Sequence, residues 1–457
     1  TDATAILDGF TITAGNANGD IFLDQNDGGG MFSENGSPTV NNCIFEYNSC
    51  SSRGGGMSNE NSSPMISNCT FANNYSEFAG GGMATDGSTS APMIVNCVFR
   101  DNVADNLGGG MYIVNRATPF ISNCSFLGNT ADDEGGGVAI DNECNPTFVN
   151  CVFSGNLCNE EGGGFYIESD SEATVISSTF SGNSAGDAGG GIYNANRSTL
   201  TLINSIVWNN QANGVTNSTS ASVFNEEDAI EATTNISYSI IANSGGSDNW
   251  NDDIGTDDDN NKDEDPFFVE PVNPADAPTT AGDLNLLYCS PAIDMGSNEA
   301  VPQDEKDVDE DLNTDELTPD LNLEDRIFNA IVDMGAFEFQ GPFFEVMLAD
   351  GATNCSTKKL ALADLNPMIT YPYDPDDLTY TWSIVETDGD NGMFADVDET
   401  DPTAGTYMPG EAAVERGSVT LQLTVENESD PCEAMTAEIV VEILKAACGE
   451  FPWRGDE

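Results

Sequence analysis

Through the first two hundred residues, short apolar stretches alternate with polar ones at a spacing of two, and glycines and asparagines close each stretch after a few residues. That is the spacing of strands, and the stretches are too short and too often interrupted for helices. The stretches repeat. Asn42-Cys43-Ile44-Phe45 returns as Asn68-Cys69-Thr70-Phe71, Asn96-Cys97-Val98-Phe99, Asn123-Cys124-Ser125-Phe126 and Asn150-Cys151-Val152-Phe153, then as Ser177-Ser178-Thr179-Phe180 and Asn204-Ser205-Ile206-Val207. An Asn follows three residues after each Phe (or Val207): Asn48, Asn74, Asn102, Asn129, Asn156, Asn183 and Asn210. Between these stretches stand seven glycine triplets, beginning at Gly28, Gly54, Gly80, Gly108, Gly135, Gly162 and Gly189, each followed by an apolar residue such as Met57 or Met111. Their starts lie 26, 26, 28, 27, 27 and 27 residues apart.

A fixed period in this range predicts a solenoid, each unit burying its face against its neighbours. Strands recurring once per coil stack parallel and in register at about 4.8 Å. Identical side chains then form columns. Phe45, Phe71, Phe99, Phe126, Phe153 and Phe180 are predicted to stack in the core, and the Asn column to form an amide ladder. Glycine serves the sharp turns between faces. The expected fold is all-β: a parallel β-helix of about 9 to 11 rungs, a rod about 45 Å long at that rise.

Leu7-Asp8-Gly9-Phe10-Thr11-Ile12-Thr13, with the Gly-Gly-Gly-Met and Asn-Cys-x-Phe repeats, resembles secreted bacterial right-handed β-helix proteins, including the chlamydial polymorphic outer-membrane proteins. Ser290-Pro291-Ala292-Ile293-Asp294-Met295-Gly296 and Asp333-Met334-Gly335-Ala336-Phe337-Glu338 resemble the closing motifs of the choice-of-anchor Q group. The resemblance implies a right-handed helix over residues 1–341, closed by these two motifs, in a surface or secreted protein.

The repeat fades after Asn210. Residues 213–235 read as an insertion or loop, and 248–265, nearly all Asp, Asn and Glu, as a solvated loop. From 342 to 445 the pattern changes to alternating strands without glycine triplets, such as Thr379-Tyr380-Thr381-Trp382-Ser383-Ile384 and Ser418-Val419-Thr420-Leu421-Gln422-Leu423. That is the pattern of a small β-sandwich. It resembles the Ig-like, PKD-type repeats of Bacteroidota surface proteins, and Cys355 and Cys432, which flank it, are the expected bridge. Residues 446–457 form a tail whose Phe451-Pro452-Trp453 could reach a neighbouring copy.

The chain has 78 acidic and 12 basic residues, a formal net charge of -66. Such charge excludes nucleic acid and anionic membrane surfaces as direct partners, and no apolar run is long enough to span a bilayer. Of twelve cysteines, Cys43, Cys69, Cys97, Cys124 and Cys151 fall in one column, where parallel Cβ vectors disfavour disulfides. They are expected to be buried thiols acting as small hydrophobes. A Cys144–Cys158 bridge is open to adjacent-coil loops.

There is no histidine, which removes Ser-His-Asp and Cys-His catalysis and His-ligated metal sites. Paired-carboxylate hydrolysis stays open: Asp132, Asp133, Glu134, Glu160, Glu161 and Asp187 precede the glycines on neighbouring coils. Calcium is the expected cofactor, because Asp307, Asp309 and Asp311 alternate with Asn313, Asp315 and Glu316 close behind, an oxygen-rich loop suited to a hard cation. The expected function is a non-catalytic extracellular structural or adhesive module at a bacterial cell surface. Its partners would be other copies of itself, joined head-to-tail in a filament, or extracellular glycans. A carbohydrate-active enzyme or carbohydrate-binding module is the alternative.

Overall fold

The computed structural model describes residues 5–19, 26–226, 232–304, 308, 313, 316–341, 345–349, 351–355, 358–370, 378–427, 432 and 434–444. The chain divides into two compact units, 1–340 and 341–457.

The N-terminal unit is a parallel β-helix with four faces. Each coil runs through a four-residue strand after the glycines (Met57–Glu60), then Met65–Ser67, Thr70–Ala72 and Tyr75–Ser76. Repetition of these strands builds four sheets, of 10, 9, 9 and 8 strands among the described residues. Register is strict: Phe71 stands opposite Phe45 and Phe99, and Met83 opposite Met57 and Met111. The coil turns its corners in left-handed backbone, at Asn68 (φ 53°), Asn73 (φ 54°) and Gly80 (φ 66°) in one representative turn. Asparagine tolerates that region better than other residues with a side chain. The triplets are required sterically as well. A Cβ on Gly108 would sit 2.2 Å from the Met111 carbonyl oxygen, and one on Gly109 2.4 Å from that of Thr130 and 2.5 Å from that of Gly136.

Three ladders run through the core. The Phe rings stack face to face at 4.8 Å from Phe45 to Phe126, 4.9 Å from Phe126 to Phe153 and 4.3 Å from Phe153 to Phe180. The amide ladder runs from Asn48 to Asn210. In each step the backbone N–H and the side-chain NH2 of one Asn donate to the Oδ1 of the next, at 3.1 and 3.0 Å for Asn102 to Asn129. The same NH2 donates to a Phe carbonyl one coil back, 2.9 Å from Asn102 to Phe71.

The third ladder is the cysteine column. The backbone N–H groups of Cys43, Cys69 and Cys97 each lie 3.4 Å from the sulfur one coil on. Each thiol in turn points at the carbonyl two residues before it, as Cys97 does to Val95. Ser178, Ser205 and Ser239 continue the column with oxygen in the same role, and Asn261 ends it. The thiols are thus hydrogen-bonding corner posts as well as apolar filler. Cys124→Ser is expected to change stability by less than about 1 kcal/mol, because serine already fills this role. Cys124→Val leaves the buried Cys97 N–H unpaired, at a cost of about 1–3 kcal/mol. Denaturant midpoints check the pair, and equal losses would contradict the ladder role.

Four sequence expectations are corrected. The 213–235 stretch is no plain loop: Val215–Thr216 turns back antiparallel on Gln211–Ala212, and Val223–Asn225 is a coil strand without its glycines. The 248–265 stretch is the last coil rather than a solvated loop. Ile254 is fully buried, Thr256–Asp257 pairs with Asn235–Ile236, and Trp250 donates to the Gly255 carbonyl, while the acidic side chains face outward. The Ser290–Gly296 and Asp333–Glu338 motifs do not close the rod. The described residues of 266–340 lie lengthwise along the outside of the second sheet as a strap.

The strap is held through the corner asparagines. Asn204 donates to Ser297, Asn150 to Pro319, Asn123 to Asp320 and Asn96 to Val308. Beneath it, outward-facing Val152, Ile206 and Ile240 pack against Phe268, Leu286, Met334 and Ala336. Within it, Asp320, Asp333 and Glu338 accept backbone N–H groups around the buried Arg326, which donates to the carbonyls of Asp333 and Gly335. The motif acids therefore hold turns.

The fourth correction concerns disulfides. Cys289 and Cys432 are each disulfide-bonded, and the side chain of Cys355, the partner expected for Cys432, lies outside the described residues. Cys144 and Cys158 are both free and buried, at different corners of the coil, so they do not pair.

The C-terminal unit holds a four-stranded mixed sheet and a three-stranded antiparallel sheet. Ser418–Glu426 pairs antiparallel with Thr379–Ile384 and with Met435–Leu444. Ala352–Cys355 runs parallel to the latter. Val419, Leu421, Ile439 and Val441 share a core with Tyr407, Leu362 and Leu365. The side chain of Cys355 and all of the 446–457 tail lie outside the described residues.

Candidate functional site

The residue after the first strand residue of each glycine-led strand points outward, and here the column is Phe32, Ser58, Ala84, Tyr112, Ala139, Tyr166, Tyr193 and Phe224. From Tyr112 on, aromatic residues dominate it. Tyr166 and Tyr193 stack at 5.2 Å, and Tyr193 lies 5.0 Å from Phe224. Together with Ala79, Ala139 and Ala195 they make a second hydrophobic cluster, on the outside of the coil.

Carboxylates border this cluster on both sides. Before the glycines, the column reads Arg53, Ala79, Leu107, Glu134, Glu161 and Ala188, linked by single parallel bridges. Two residues beyond the tyrosines it reads Asp86, Val114, Asp141 and Glu168. Of the six acids singled out from sequence, Glu134 and Glu161 stand on adjacent coils and are half-buried here. Asp132, Glu160 and Asp187 are exposed, and Asp132 accepts from the amide of Asn159. Sequence reasoning missed Glu168, the Tyr column and Arg53. The in-register recurrence of Tyr two residues after a glycine triplet was the available signal.

Burial is the main force on the titration of Glu134, Glu161 and Glu168. It pushes Glu134 up to about 8, helped by the charge of Glu168 and opposed by a hydrogen bond with Tyr166. Glu168 and Glu161 are raised for the same reason. Tyr166 stands between Glu134 and Glu168 and opposes the rise of both carboxyls. At the other end of the face, Arg53 pairs with Asp86 and lies 5.9 Å from the ring centroids of Phe78 and Tyr112.

A raised carboxyl binds more protons folded than unfolded between its two pKa values, so its stability contribution is whole below the unfolded pKa and fades as pH rises through the folded one. Wild-type stability should fall between about pH 4.5 and 8, and Glu134→Gln should flatten that fall. Identical slopes for wild type and Glu134→Gln would show that Glu134 ionises normally.

Burial closes two of the core thiols to chemistry, pushing Cys151 up to about 12 and Cys97 well above the usual thiol range. Of the calcium loop, Asp307, Asp309, Asp311 and Asp315 lie outside the described residues. Asn313 is exposed and donates to Glu316 at 2.7 Å. No group of three metal-ligating side chains occurs among the described residues, and no helix among them is long and apolar enough to cross a membrane.

Residues 4–131 and 96–230 match the family described as right handed beta helix region, and with the coil geometry this identifies the N-terminal unit as a right-handed parallel β-helix. No curated protein and no solved structure matches the chain.

Proposed function

We propose that this protein is a non-catalytic structural or adhesive module of a bacterial surface protein of the choice-of-anchor Q type, its C-terminal unit being an Ig-like, PKD-type spacer domain. The observation that carries this reading is the amide ladder, seven buried asparagines hydrogen-bonded in series from Asn48 to Asn210. A coil whose repeated positions are all committed to such ladders spends its sequence on a stiff, long scaffold. The net charge of -66 keeps a long rod soluble. Disulfide bonding at Cys289 and Cys432 fits an oxidising, extracellular setting. Partners on this reading are other copies, head-to-tail, or extracellular glycans. Sedimentation and electron microscopy of the native protein test the assembly; isolated monomers at high concentration exclude the filament.

The half-buried Glu134, its carboxyl raised by burial and by the charge of Glu168, favours one second reading, a glycoside hydrolase using a carboxyl pair as general acid and base. Incubation with neutral and acidic polysaccharides separates the two. Release of reducing ends that Glu134→Gln abolishes would replace the scaffold reading.

Calcium enters as part of the same proposal, at Asp307 to Glu316, where alternating carboxylates repel one another without a cation. The thermal midpoint should rise with calcium over chelator at matched ionic strength, and coincident curves would leave the loop as a solvated acidic segment only.

A further inference from the structure

The turn-back of 213–220 does more than end the third sheet. Between it and the last coils it frames an open cleft of about 680 Å³, lined by Val215, Thr216, Asn217, Thr219, Phe224, Asn225, Asn243 and Asp253 among others. That volume falls in the range of small-ligand sites. Its walls differ from the rest of this acidic chain: hydroxyls and amides dominate, with one carboxylate.

Two features give the cleft direction. Thr219 Oγ1 accepts from the amides of both Asn243, at 2.7 Å, and Asn251, at 3.2 Å. Both lone pairs of that hydroxyl are engaged, so its proton is left to donate. Asn225 is fixed in place, donating to Ile254 O at 2.7 Å and accepting from Thr234 and Asn194. It holds the wall next to Phe224. The apolar surface comes from the Phe224 ring, held from behind by Tyr193 at 5.0 Å, and from Val215, which is 55% exposed. A ring fixed on one face and open to a polar cleft presents a stacking surface for an apolar C–H face.

From this we infer that the cleft is a binding site for a neutral saccharide. A sugar offers hydroxyls that both donate and accept, and a C–H face for the ring. The field of a chain carrying -66 opposes uronates and phosphates. Asp253 supplies an acceptor for a sugar hydroxyl. A scaffold without this ligand remains a scaffold, so the two proposals fail separately.

The test is calorimetric titration of the full chain with gluco-, manno-, xylo- and galacto-hexaose, and with oligogalacturonate as the anionic comparison. At least one neutral hexaose should bind with Kd under about 1 mM, a free energy of about -4 kcal/mol. Thr219→Val and Phe224→Ala should each weaken it at least tenfold, with Thr219→Val melting as wild type does. Thr199→Val, on the first sheet, should leave binding unchanged. Binding of none of the neutral hexaoses, binding indifferent to both Thr219→Val and Phe224→Ala, or preference for oligogalacturonate overturns the proposal.

Discussion

Phe126→Ala is expected to destabilise the N-terminal unit by about 3–5 kcal/mol, the range for removing a buried aromatic ring. The ring is fully buried. It stacks on Phe99 at 4.8 Å and on Phe153 at 4.9 Å, with Phe148 edge-on at 6.4 Å. In-register sheets cannot close on the void, because each neighbouring strand is fixed by its own ladder above and below. The loss should therefore lie at the upper end of the range, and Phe126→Leu should recover part of it. Chemical denaturation monitored by circular dichroism reads both. A loss under about 1 kcal/mol for the alanine variant would mean that the Phe column does not bear on stability.

Asn129→Ala should cost about as much although it removes fewer atoms. Asn129 Oδ1 is the acceptor for the Asn102 N–H and NH2, and its own NH2 serves the Phe99 carbonyl and Asn156. With the amide gone, the Asn102 N–H and the Phe99 carbonyl lose their partners in a site without access to water. A stranded buried group costs about 1–3 kcal/mol, so a total of about 4 kcal/mol follows from the two. Asn129→Asp keeps the acceptor but buries a charge beside the carbonyl of Phe99, and should be no better. An alanine variant within about 1 kcal/mol of wild type would show that water replaces the amide.

Both effects rest on positions legible in the sequence, since a solenoid places residue i beside its equivalent one period away. Spacing then gives contact directly. Phe45 to Phe180 and Asn48 to Asn210 could be read as columns because each partner is the same residue type 26 to 28 positions on. The cysteine column was legible as a column but not as hydrogen-bonding: only the corner geometry shows sulfur in the place that Ser178 and Ser205 fill with oxygen. The aromatic and acidic face was half legible. Glu134 and Glu161 share a repeat position, whereas Glu168 acts on Glu134 from a different column.

The sequence by itself determined the class of fold, the coil length, the core columns and the corners, where glycine and asparagine predominate. These follow from local chemistry repeated at a fixed period. Tertiary structure alone decided where the described residues of 266–340 go and that Cys144 and Cys158 stay unpaired. It also decided that the acidic 248–265 stretch forms a coil and that 213–220 bends back to frame a cleft. Those segments carry no period, so nothing in their spacing states a partner. Their positions follow from apolar surface left open on the outside of the second sheet, at Val152, Ile206 and Ile240, and from corner asparagines with amides to donate. The continuous apolar runs Ile206-Val207-Trp208 and Ile240-Ile241 are what a strand covered on both faces looks like. What covers them is fixed only when the chain has folded far enough to bring residues 266–340 alongside.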